Sequence, residues 1–129
     1  MTVLIDSDIL IEVSRGRSRA IVSRWIELST SDAAVLYSPV SVAELWAGAR
    51  PSEYDALRNL FRALTCAAID EEVGLQAGAY LQRYRLSHGV EVADALIAAN
   101  AVANHAQLWT RNRQHYPMAD ISFFDGVAD

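Results

Sequence analysis

Short apolar runs alternate with longer amphipathic stretches along the whole chain, and this alternation predicts its elements. Thr2 to Ile5 is a β-branched run ending at Asp6 and predicts a first strand. Ala34 to Tyr37, Thr65 to Ile69 and Gln107 to Thr110 read the same way, with Ile121 to Phe124 as a last strand. Between them apolar residues recur at helical spacing. Ser7 to Val13 predicts a short helix ended by Arg15-Gly16-Arg17, and Ala20, Ile21, Trp25 and Leu28 predict a second. Ser41-Val42-Ala43-Glu44 has the spacing of a capping box and opens a helix to Ala49. Pro51 starts another, with Leu57, Leu60, Phe61 and Leu64 on one face. The acidic turn Asp70-Glu71-Glu72 suits a helix N-terminus, and that helix runs to His88-Gly89. Val92, Leu96, Ala99 and Ala103 stripe the next. Strand and helix in alternation predict an α/β fold, a mostly parallel central sheet flanked by helices, as one domain over residues 1–129. The pattern leaves strand order and register open.

Composition narrows the class. A hydrophobic fraction of 52% supplies a core, while no apolar run approaches the ~18 residues of a membrane span. Neither a basic leader nor a cleavage site precedes Asp6, and Cys66 has no second cysteine to pair with, so a cytoplasmic protein is expected. The net charge of −5 is wrong for gripping nucleic acid by bulk electrostatics but suits carboxylates gathered around a cation. All eleven basic residues are arginine. A guanidinium fork holds phosphate in two-point fashion, although an arginine-favouring genome explains the bias equally well.

In an open α/β sheet, ligands bind outside the carboxyl ends of the strands. Asp6 follows the first strand directly, Glu44 lies in the first turn of the helix after the second, and Asp94 opens a helix that is otherwise nearly all apolar. Each also has a plainer role: Asp6 as an N-cap, Glu44 completing the capping box with Ser41, Asp94 facing solvent. The apolar surroundings of Asp94 argue against the last, because an unpaired buried carboxylate costs several kcal/mol and a shared cation relieves it. Asp8 either lines the same edge or caps the helix. Thr110 and Asn112 fall at the end of the late strand, and Asn112 brings an acceptor oxygen without charge. His88, His105 and His115 lack zinc-site spacing and are expected to be structural; oxygen donors without thiolate favour Mg²⁺ or Mn²⁺.

Four stretches in this order resemble the PIN domains, and specifically the VapC-type toxin ribonucleases of bacterial toxin–antitoxin pairs. Val3-Leu4-Ile5-Asp6-Ser7-Asp8-Ile9-Leu10 is similar to the family's opening strand and first acid, and Ser41 to Ala49 to the helix bearing its glutamate, at Glu44. Ala93 to Ala99 is similar to the segment with its next aspartate, at Asp94, and Leu108 to Tyr116 to its last motif, with Thr110 and Asn112 at polar active-site positions. Many members carry aspartate where this chain has Asn112, which implies one charged ligand fewer. The resemblance implies RNA hydrolysis with Mg²⁺ or Mn²⁺ held by Asp6 and Asp94, with Glu44 completing the shell or orienting water, and products with 5′-phosphate ends. It also implies a homodimer and a cognate antitoxin whose C-terminal segment covers the cleft. Arg15, Arg17, Arg19, Arg111 and Arg113 are candidate phosphate contacts, or ordinary surface arginines.

Two other readings stay open on sequence. Asp6-Ser7-Asp8 after a hydrophobic strand fits the nucleophile motif of haloacid-dehalogenase-like phosphatases, but those enzymes, like receiver domains, normally need a lysine, and this chain has none. A catalytically silent PIN-like module that binds RNA or a partner is the other, and Asn112 is what favours it.

Overall fold

The computed structural model describes residues 1–125. Its core is a four-stranded sheet of β1 (Thr2–Ile5), β2 (Ala34–Tyr37), β3 (Thr65–Cys66) and β4 (Gln107–Trp109), in the order β3-β2-β1-β4 and parallel throughout. Six helices cover it: α1 (Ser7–Arg15), α2 (Arg19–Ser29), α3 (Pro39–Ala47), α4 (Tyr54–Arg62), α5 (Glu71–His88) and α6 (Val92–Ala103). No helix among the described residues is long and apolar enough to cross a membrane.

The period of two along each strand divides the core into two layers. Leu4, Leu36 and Leu108 point to one face and pack beneath α5 and α6, against Ala77, Tyr80, Ile97 and Ala98. Val3, Ile5 and Trp109 point to the other, against Ile9, Leu10, Ile21, Leu57 and Phe61 of α1, α2 and α4. Residues Val3 to Ile5 have no exposed surface, as a central strand buried on both faces requires.

Helix ends follow local chemistry. Gly16 and Gly89 take the left-handed conformation, φ 65° and 67°, that closes α1 and α5. Asp70 caps α5 by accepting from the Val73 N–H at 3.0 Å.

Several expectations are corrected. α3 starts at Pro39 with Ser38 as its cap, so Ser41 lies inside the helix and Ser41–Glu44 is no capping box. Proline at the first helical position has no N–H to leave unpaired, which favours this earlier start. Glu44 consequently sits in the second turn, not the first. The third strand is only Thr65–Cys66: beyond a last bond from Ala67 N–H to the Tyr37 carbonyl, the Ala68 carbonyl accepts from the Asn100 amide and the chain turns into α5. Ile121 to Phe124 forms no strand but a single parallel bridge, Leu108 to Phe123. α6 is buried around most of its girth, while Val92, expected in its stripe, is exposed.

Leu4→Ala removes a fully buried side chain between the sheet and α6, and is expected to cost about 2–5 kcal/mol. Leu86→Ala, at a side chain 99% exposed, is expected to stay within about 0.5 kcal/mol. Urea unfolding of the two variants checks the contrast.

Candidate active site

The sheet order places β1 between β2 and β4, so successive connections leave β1 to opposite sides and open a crevice at its carboxyl end. Asp6 stands there. Its main-chain N–H still belongs to the sheet, donating to the Trp109 carbonyl at 2.9 Å, while its side chain caps α1 by accepting from Ser7 N–H at 2.7 Å. Its other oxygen accepts from the Thr110 hydroxyl at 2.8 Å and the Tyr116 hydroxyl at 2.9 Å, both across the crevice from β1. Asp6 is thus both the N-cap and the innermost acid of the crevice, 7% exposed. Burial raises its pKa against the pull of these three donors, and the Asp94 charge adds to the rise. The Tyr116 phenol, buried and bonded to that carboxylate, is held firmly protonated.

Asp8, two residues further and in the first turn of α1, belongs to the same edge. Its Oδ2 accepts from Arg111 N–H at 2.9 Å and the Asn112 side-chain amide at 3.1 Å. Its Oδ1 is buried with no partner. Burial, and then repulsion from Asp6, pushes its pKa up to about 6. Asn112 therefore acts here as a donor that fastens Asp8, and its N–H donates to Thr110 Oγ1 at 3.0 Å.

Glu44 reaches the edge from α3. Its Oε1 accepts from the Ser7 hydroxyl at 2.7 Å, and that hydroxyl lies 2.7 Å from the hydroxyl of buried Ser41. Asp94, in the first turn of α6, accepts from Glu91 N–H at 3.2 Å and lies 3.7 Å from His115 Nδ1. Burial raises its pKa most; the Glu91 and Glu44 charges add to this, against the Glu91 N–H and His115. His115, expected to be purely structural, faces a carboxylate of the crevice.

Five predicted residues, Asp6, Glu44, Asp94, Thr110 and Asn112, thus share the edge, and Asp8 joins them. Among the described residues no three acidic, histidine or cysteine side chains converge on one ion-sized point. Glu44 and Asp94 are each held by a donor of their own, the Ser7 hydroxyl and the Glu91 N–H. Sequence reasoning missed Ser7, Ser41 and Tyr116. Tyr116 lies seven residues past the end of β4, and only its place in the last motif hinted at it. A groove of about 310 Å³ runs from Ser7, Asp8 and Glu44 between α1 and α3 toward Arg15 and Glu53.

Residues 3–121 match the family model of the PIN domain. The chain is 37% identical over 116 residues to ribonuclease VapC19 of Mycobacterium tuberculosis, covering 89% of this chain and 92% of that protein. It is 36% identical over 118 residues to ribonuclease VapC10 of the same organism, covering 90% and 86%. In fold it resembles the crystal structure of VapBC2 from Rickettsia felis bound to a DNA fragment from their promoter, with a TM-score of 0.81, 17% identity, and coverage of 96% of this chain and 98% of that one. The crevice at the end of β1 is therefore carried by a chain that belongs to the PIN domain family, among its VapC-type ribonucleases.

Proposed function

We propose that this chain is a Mg²⁺- or Mn²⁺-dependent endoribonuclease, the toxin of a toxin–antitoxin pair, working as a single nuclease domain in the cytoplasm. The observation that carries the reading is the trio Asp6, Asp8 and Asp94, three carboxylates with raised pKa at one sheet edge, one of them with a buried oxygen that nothing satisfies. That is the electrostatic state a cation relieves. The donors are hard oxygens without thiolate, which fits magnesium or manganese. When bound, such an ion supplies charge neutralisation for the phosphodiester and a water acidic enough to attack it.

The chain's own residues divide the remaining work. Asp6 and Asp94 would hold the ion, and Glu44 would complete the shell or orient the water. Thr110 and Tyr116 fix the Asp6 carboxylate, so its direction does not depend on the substrate. Asn112 does the same for Asp8 without adding a charge.

Removing one charge is the direct test. Asp6→Asn and Asp94→Asn are each expected to slow Mn²⁺-dependent RNA cleavage at least about a hundredfold, the equivalent of losing ~3 kcal/mol in the transition state. Both should keep a cooperative melt in EDTA. Folded variants that cleave like the wild type would sink the assignment, and a wild type that binds RNA without cutting it would favour the silent module.

The pH dependence of metal-free stability follows from the raised pKa values. Asp8 titrates at about 6 in the folded chain and at about 3.9 unfolded, so between those values the folded state holds more protons. Stability then falls as pH rises through that window; Asp6 and Asp94 act in the same direction. In EDTA the melting temperature is expected to drop between about pH 4 and pH 6, and saturating Mn²⁺ should remove most of the drop. A flat profile in EDTA would show that the acids are not held against their charge.

The partner is a cognate antitoxin, and the homodimer belongs to the same reading. In a chain of net charge −5 with its acids clustered, a partner's guanidinium placed in the crevice offsets repulsion and competes with the cation. Expression alone should arrest growth, and co-expression with the neighbouring small open reading frame should restore it. Harmless accumulation of active protein without that neighbour would count against the toxin role.

A further inference from the structure

A second charged constellation lies beside the crevice, and the chemistry above does not use it. Glu12, on α1, is a buried acid whose side chain is 11% exposed. Two arginines from separate loops converge on its Oε1: Arg17 Nη2 at 2.8 Å and Arg111 Nη2 at 3.5 Å. The left-handed turn at Gly16, whose N–H donates to the Glu12 carbonyl, reverses the chain so that Arg17 folds back onto the helix it has just left. Arg111 comes from the other side, and its main-chain N–H donates to Asp8. One residue thus links the acid of the crevice to the acid of this cluster.

We propose that Glu12, Arg17 and Arg111 form a phosphate subsite that takes an RNA backbone phosphate next to the carboxylate crevice, with Glu12 as its positioning residue. One carboxylate against two guanidiniums leaves a net positive charge, set beside Asp6, Asp8, Glu44 and Asp94. A polyanion approaching those four acids is repelled, and in a chain without lysine the counterweight must come from arginine. Each guanidinium has five N–H donors, and only Nη2 of each is directed at Glu12. The side chains of Arg17 and Arg111 remain 61% and 30% exposed, so the other donors are open to a two-point bond with phosphate. Holding both guanidiniums in place beforehand removes an ordering cost that free surface arginines would meet on binding. The subsite rests on the ribonuclease reading and specifies how that site grips its substrate.

Glu12→Gln separates positioning from bulk charge, because the two predict opposite signs. The substitution makes the protein more positive by one charge, which on bulk electrostatics tightens RNA binding. With Glu12 as the positioning residue, binding weakens instead, by roughly three- to tenfold. The measurement is fluorescence anisotropy of a labelled single-stranded RNA in EDTA, over a salt series. Arg17→Ala and Arg111→Ala should each flatten the salt dependence by about one. Adding Glu12→Gln to the Arg17→Ala/Arg111→Ala pair should bring no further weakening. Unchanged or tighter binding by folded Glu12→Gln overturns the proposal. Should that variant fail to fold, Arg17→Ala, at an exposed side chain, decides alone: an unaltered salt slope overturns it equally. A wild type that binds no RNA either in EDTA or with Mn²⁺ would bring down the ribonuclease reading and the subsite together, whereas a wild type that binds and variants that match it would bring down the subsite alone.

Discussion

Putting the Asp6 carboxylate at the end of the central strand, nearly out of reach of water, obliges the protein to supply the hydrogen bonds that water would have made. It does so with a main-chain N–H from the helix that follows and two hydroxyls from the segment after β4. Those donors in turn fix where the neighbours go. Thr110, held against Asp6, receives the Asn112 N–H, and Asn112 so placed reaches Asp8. The connection after β4 is thereby tied to the connection after β1 through the Asp6 and Asp8 carboxylates, and the crevice has a defined wall on both sides.

Even so satisfied, Asp6 keeps a raised pKa, as do Asp8 and Asp94. Burial outweighs the donors at each of the three, so the fold concentrates repulsion at this edge. A few ångströms further out, Glu12 and its arginines carry the opposite sign. The chain therefore holds two small fields of opposite sign linked through Arg111, although its net charge suggests only an acidic protein.

Much of this was legible in the chain. The alternation of apolar runs gave the α/β class because the strands are buried on both faces, and Asp6, Glu44 and Asp94 could be placed at one edge because strand ends in such sheets converge. What misled was local chemistry with two solutions. Ser38-Pro39 and Ser41 both offer a cap, and proline decided for the first, moving Glu44 a turn inward. Thr65 to Ile69 has the composition of a strand, but only two of its residues pair, since Asn100 on α6 takes the Ala68 carbonyl. Asn112 is read from sequence through its acceptor oxygen, whereas its amide nitrogen is the atom that holds Asp8. Tyr116 and the Glu12 cluster depend on contacts 110 and 99 residues apart in sequence or on a chain reversal, and no periodicity reports those.

The bonds already made by Asp6 limit what else it can do. A carboxylate offers about four lone pairs. Two on Oδ2 are taken by the hydroxyls of Thr110 and Tyr116, and one on Oδ1 by the Ser7 N–H. A single direction is left, on Oδ1, so Asp6 can present only one tooth to an incoming ion. Calcium, whose six to eight ligands often include a carboxylate bound through both oxygens, would gain less from such a group. Magnesium, small and content with one oxygen from each acid and its own waters, loses nothing. Selection between two abundant cations would then be set by two hydroxyl groups that touch neither.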